Sequence, residues 1–164
     1  MNLISFTLGL SLLLCALVAG LLLAFCIVVM PGIQCLNDND YLKAFKVMDG
    51  VIQNNQPIFM LIWLGSTTAL IVSTLIGFRQ LSGLDQLLLA TACSAYLIGV
   101  QLPTVKINIP LNNGIQTLNL EEMSRTDFQD ARKIFEPTWT RWNTFRTVIA
   151  TFTTAILIVL VIRL

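Results

Sequence analysis

The chain alternates long apolar runs with short polar stretches. No Asp, Glu, Lys or Arg occurs in residues 1–37, 50–78, 86–105 or 147–162. A helix needs about 20 mostly apolar residues to cross about 30 Å of hydrocarbon at about 1.5 Å per residue. The first three runs meet that length. The fourth reaches it when the stems of Arg146 and Arg163 snorkel to opposite interfaces. The pattern predicts an all-α membrane four-helix bundle in one domain, with spans near residues 3–30, 57–77, 85–102 and 143–163. The first run continues from Leu3 to Ile33 with no positive residue ahead of it, which reads as a retained helix and not a cleaved leader.

Within this frame the polar punctuation predicts finer detail. Pro31-Gly32 closes the first span, and Asn37-Asp38-Asn39-Asp40 supplies N-cap candidates for a short amphipathic helix whose Tyr41, Phe45, Met48 and Ile52 share a face along the membrane surface. Pro57 opens the second span. The short link 78–83 makes the second and third spans antiparallel neighbours. The connection from Pro103 to Glu136 should be partly helical, with a capping box at Ser124 and Asp127, and Pro137 should punctuate it ahead of the fourth span. Ala16-x-x-x-Gly20 is expected at a helix–helix contact, because small residues let backbones approach. The hydroxylated stretch Gly65–Ala69 should also face other helices.

Composition agrees: 55% of residues are hydrophobic and 12% charged, against about a quarter charged in soluble proteins. A net charge of +1 with interleaved signs gives no field for nucleic acid. The chain has no histidine, which removes the commonest metal and haem ligand and the usual neutral-pH base, so no metal site and no cofactor is expected. Cys15, Cys26 and Cys93 fall inside spans and Cys35 stands alone, which suggests no disulfide framework. Four spans put both termini on one face. The opposite face carries Lys43, Lys46, Lys106, Arg125, Arg132, Lys133, Arg141 and Arg146, and so leans cytoplasmic. Docking of Lys106, Arg141 and Arg146 on the bundle would remove that bias, so orientation stays open.

Two segments could carry chemistry. Lys106–Gly114 is a dense amide run at the membrane boundary. Asn113-Gly114 suits a turn or small hairpin, while Asn108 and Asn112 can offer donors and acceptors to a polar ligand. In the fourth span Trp139, Trp142, Asn143 and Arg146 recur at i, i+3, i+4 and i+7. The two indoles suit the headgroup region, and Arg146 either snorkels or turns inward to an oxygen, with Asp49 as its candidate partner.

These pieces together carry a resemblance. Gly20-Leu-Leu-Leu-Ala-Phe running into Val29-Met30-Pro31-Gly32, Met48-Asp49 with Gln56-Pro57-Ile58-Phe59, Asn108-Ile-Pro-Leu-Asn112-Asn113, and Trp139-x-x-Trp142-Asn143-x-x-Arg146 resemble the anthrone oxygenase-like family of small four-helix membrane proteins over nearly the whole chain. Most members have no assigned function, and a minority oxidise an anthrone to an anthraquinone. The resemblance implies a membrane oxygenase acting without its own metal on a flat, lipid-soluble phenolic or quinone-like ligand. Trp139 or Trp142 would stack on the ring, Asn108, Asn112 and Asn143 would line the substrate site, Arg146 would stabilise the anion and Asp49 would serve as base. The alternative is a non-enzymatic membrane component, either an accessory subunit of a membrane protein partner or a lipid- or quinone-binding protein, in which the same residues form a structural clamp.

Overall fold

The computed structural model describes residues 3–164 and, among them, contains helices and no strand. Five helices follow one another: α1 Leu3–Gln34, α2 Asp38–Gln53, α3 Pro57–Gln80, α4 Gly83–Thr117 and α5 Arg125–Arg163. All but α2 are long and apolar enough to cross a membrane. Their outward faces carry Leu13, Ile27, Leu61, Leu75, Ile98, Val148 and Ile162, all exposed. An apolar belt on every side of a bundle suits a bilayer and not water, so the protein is a multi-pass integral membrane protein.

The helix starts are set by local chemistry. Asn37 accepts the Asp40 N–H through its side chain, and Asp38 and Asp40 lie in the first turn of α2, where negative charge meets the positive end of the helix dipole. Pro57 opens α3 while the Gln56 side chain accepts from the Phe59 N–H. Ser124 and Asp127 form the capping box of α5. Between α3 and α4 the chain reverses through two residues and Gly83 at φ 57°, a left-handed conformation that favours glycine.

The packing has two centres. In the membrane-spanning core, Leu8, Val18, Leu70, Leu89, Ala92, Val100, Leu157 and Leu160 are fully or almost fully buried together. Ser11 pairs with Ser73 at 2.9 Å and Ser66 with Tyr96 at 2.7 Å, so hydroxyls inside the hydrocarbon find partners on neighbouring helices. The stretch 65–69 thus divides: Ser66 and Ala69 are buried, while Thr68 is exposed and donates to its own helix at Leu64. A second, aromatic centre joins Tyr41, Leu42 and Phe45 of α2 to Phe128, Phe135 and Trp139 of α5. The amphipathic helix is therefore clamped onto the bundle by Phe45 edge-on to Phe135 and Trp139, and by Arg132 stacked over the Tyr41 ring. Burial, helped by the nearby Glu136 carboxylate, pushes the Tyr41 phenol above its ordinary range.

Close packing uses other glycines than expected. Ala16 and Gly20 face outward, and a Cβ on Gly20 would meet nothing within 4 Å. The tight approaches are at Gly77, against Leu89, and at Gly99, where a Cβ would lie 2.7 Å from Ile149 Cγ2. Ala16-x-x-x-Gly20 has the right spacing, but α1 turns its Ser11, Cys15, Val18 and Leu22 face inward.

The prolines behave differently from the expectation too. Pro103 does not end α4, and the Asn113-Gly114 pair sits within a helix instead of closing a hairpin. Three π-helical stretches, Phe25–Val29, Leu97–Gln101 and Thr104–Asn108, each stop two residues before a proline: Pro31, Pro103 and Pro110. Proline cannot donate to the carbonyl four residues back, and its ring collides with it. Lengthening the bonds just ahead to i−5, as Met30 to Phe25, Leu102 to Leu97 and Ile109 to Thr104 do, widens the turn and carries the helix through. Pro137 also lies inside a continuous helix, on an exposed face where water can serve the carbonyl it leaves free.

Candidate functional site

The helices separate around a cavity of about 500 Å³ near the aromatic centre. That volume suits a ligand of several fused rings. Its apolar walls come from Leu21, Leu22 and Phe25 of α1, Phe45 of α2, and Phe59, Met60 and Trp63 of α3. Phe59 and Trp63 stack with centroids 5.5 Å apart and present a flat surface. One wall is polar and is built by α4 and α5 with the end of α2. On α4, Gln101, Thr104, Asn108 and Asn112 point the same way along the stretch that the π turns widen.

The polar wall holds two separate charges. Asp49, 4% exposed, accepts from Asn112 at 2.7 Å, Gln116 at 2.8 Å and Gln53 at 3.3 Å. Asn112 in turn accepts the Trp139 indole N–H at 2.7 Å, so Asp49 fixes the amide that fixes the indole. Arg146, also 4% exposed, donates to Thr104 Oγ1 at 2.8 Å and Asn143 Oδ1 at 3.1 Å, and its Nε–H has no acceptor. Both acceptors are neutral. Among the described residues neither Asp49 nor Arg146 takes part in an ion pair. A guanidinium has five donors and no acceptor, and a buried one without an anion is costly. Asn143 is held in turn by donating to the Leu22 carbonyl at 3.1 Å, and Asn108 donates weakly to the Trp139 carbonyl while its Oδ1 is unpartnered.

The structure brings Asp49, Asn108, Asn112, Trp139, Asn143 and Arg146 to one cavity. It does not join Asp49 to Arg146: Asp49 is taken up by Asn112, Gln116 and Gln53, while Arg146 meets only the neutral Thr104 and Asn143 and keeps its Nε–H without an acceptor. Trp142 is absent from the cavity lining and packs edge-on to Phe145 at 5.5 Å. Trp139 is no headgroup anchor: it is buried among Phe25, Phe45 and Phe135, with its N–H spent on Asn112. Thr104, Gln116 and the Phe59–Trp63 pair also belong to the site, although no pattern in the chain singles them out as site residues. Gln116 follows Asn108 and Asn112 at steps of four, a helical signal that the Asn-Gly turn motif masked.

A model of the anthrone oxygenase family matches residues 50–156, from the last turn of α2 into α5. The match includes the α3, α4 and α5 walls of the cavity and leaves out the α1 wall, Phe45 and Asp49. No curated protein and no solved structure matches the chain.

Proposed function

The chain belongs to the anthrone oxygenase family, and on that premise we propose that its cavity binds a flat, lipid-soluble phenolic substrate of the anthrone type as its anion and exposes it to O₂. The observation that carries this reading is Arg146, a buried cation on the wall of a largely apolar cavity with no carboxylate against it. An ionised substrate oxygen would supply the missing charge, and a buried charge inside a membrane bundle generally marks such a site. The Phe59–Trp63 pair and Trp139 flank the rings, and Asn108 and Asn143 meet polar groups on the ligand edge.

The chemistry then needs little from the protein beyond binding and shielding. Loss of a proton from the ring CH₂ gives a delocalised anion that gives up electrons to O₂. A C–O bond forms at that carbon, and protonation yields a hydroperoxide. Loss of water, made from the remaining hydrogen on the carbon and the outer OH of the peroxide, leaves the new carbonyl. One oxygen atom ends in the quinone and the other in water. Arg146 favours the first step by stabilising the anion. Asp49 is either the base or the positioning residue that holds Asn112 and Trp139.

Oxygen uptake by the purified protein with anthrone separates these roles. Parent protein should consume O₂ well above the spontaneous rate, and Arg146→Gln should lower kcat/KM by about 10²–10³-fold while remaining folded. Loss of the pH dependence in Asp49→Asn identifies the base; a lower rate with an unchanged pH profile identifies positioning. The second reading, a non-enzymatic ligand-binding clamp, draws on the three amides that already occupy Asp49. It would be the better account if anthrone binds and no O₂ is consumed.

A further inference from the structure

Helix α3 packs against residues 83–96 of α4 and parts from α4 from residue 97 on, where α4 stays on α5 to residue 108 and then packs on α2. The gap between them meets the cavity. Four cavity-lining residues on its edges are exposed: Leu64 and Thr68 of α3, and Val105 and Ile109 of α4. None carries a charge, and the Thr68 hydroxyl is spent on the Leu64 carbonyl at 2.9 Å. Leu64 and Thr68 lie roughly 10 and 16 Å along α3 from its start, at 1.5 Å per residue, and so within the hydrocarbon. The neighbouring outer faces, Leu61 on α3 and Leu102 on α4, are exposed and apolar as well. Toward the connections, in contrast, the cavity is edged by Asp49, Gln53 and Asn55, with Asp49 and Gln53 tied into the amide network.

We propose that this gap is a lateral portal through which the substrate reaches the cavity from the bilayer, with Leu64, Thr68, Val105 and Ile109 as its frame. The portal rests on the proposed binding of a flat phenolic ligand and adds where that ligand comes from: it is taken up dissolved in lipid. An apolar, uncharged frame costs such a molecule no desolvation of polar groups, whereas the connection side would draw it past Asp49 and its amides. The widened turns at 97–101 and 104–108 hold the portal open, because they carry α4 through Pro103 along α5 and away from α3, and the stretch that follows, 109–117, packs on α2.

The test uses the whole protein in phosphatidylcholine vesicles, with 1,8-dihydroxyanthraquinone as probe and quenching of the native tryptophans as readout. In the parent, the association rate should follow the amount of probe per lipid and not its concentration in water. Thr68→Phe/Val105→Phe should slow association and dissociation together by about tenfold, and the lipid-facing control Leu75→Phe should change neither. Unaltered rates in the double variant, or rates that follow the aqueous concentration, would overturn the portal and leave ligand binding standing. Absence of probe binding in the parent would overturn the portal and the binding reading together.

Discussion

The two ends of this bundle solve the same packing problem in opposite ways. Where Ile4, Leu8, Leu70, Leu89, Leu157 and Leu160 meet, the helices touch directly, Gly77 lies against Leu89, and polar contacts between helices are few and local: the Ser11–Ser73 hydroxyl pair inside and the Arg163–Asp85 ion pair at the helix ends. Where Phe25, Phe45, Phe59, Trp63 and Trp139 meet, the same helices stand apart around a cavity and bury a carboxylate, a guanidinium and several amides. Both ends lie within or beside hydrocarbon, so the difference is not one of solvent. The prolines account for much of it. All three π-helical stretches lie on α1 and α4, and each contributes a residue to the cavity wall: Phe25, Gln101 and Thr104. A closely packed end thus supports an open end whose polar groups cost stability, as functional sites commonly do.

The contrast can be broken first at Gly99. A side chain there would press on the Cγ2, Cγ1 and Cβ of Ile149, and Cβ cannot swing aside. Overpacking typically costs about 1–3 kcal/mol, so Gly99→Leu should lower the thermal midpoint in detergent by several degrees or prevent folding. Leucine at Gly20 should do almost nothing, within about 0.5 kcal/mol, because that face is open. Equal effects at the two glycines would mean that the contacts between helices are misplaced.

How far these features were legible in the chain follows from physics. Charge-free runs set the four spans because hydrocarbon excludes charge, and N-caps marked α2 and α5 because the first N–H groups of a helix need acceptors. Residue spacing placed Trp139, Trp142, Asn143 and Arg146 on one face, and all but Trp142 share a cavity with Asn108 and Asn112, which stood out as amides beside hydrocarbon. The partner of Arg146 was not legible. Opposite charges suggested Asp49, yet which oxygens reach a guanidinium depends on how the π turns rotate α4, and those arise from bonds lengthened ahead of a proline, which a local reading takes for a helix end. The choice between Gly20 and Gly99 likewise depends on which face α1 turns inward, and a helix apolar all round does not record that.

The central claim is that Arg146 supplies a positive charge the protein leaves uncompensated for an anionic ligand. It is tested most directly by the colour of a bound hydroxyanthraquinone, which differs between its neutral and ionised forms, titrated against pH in the parent and in Arg146→Gln. A nearby cation favours the ionised form of an acid, which lowers its pKa, typically by about 1–3 units. The bound ligand should therefore ionise at lower pH than in protein-free detergent, and the shift should disappear in Arg146→Gln. A bound ligand that ionises at the same or higher pH in the parent, or an unchanged shift in the variant, would contradict the account.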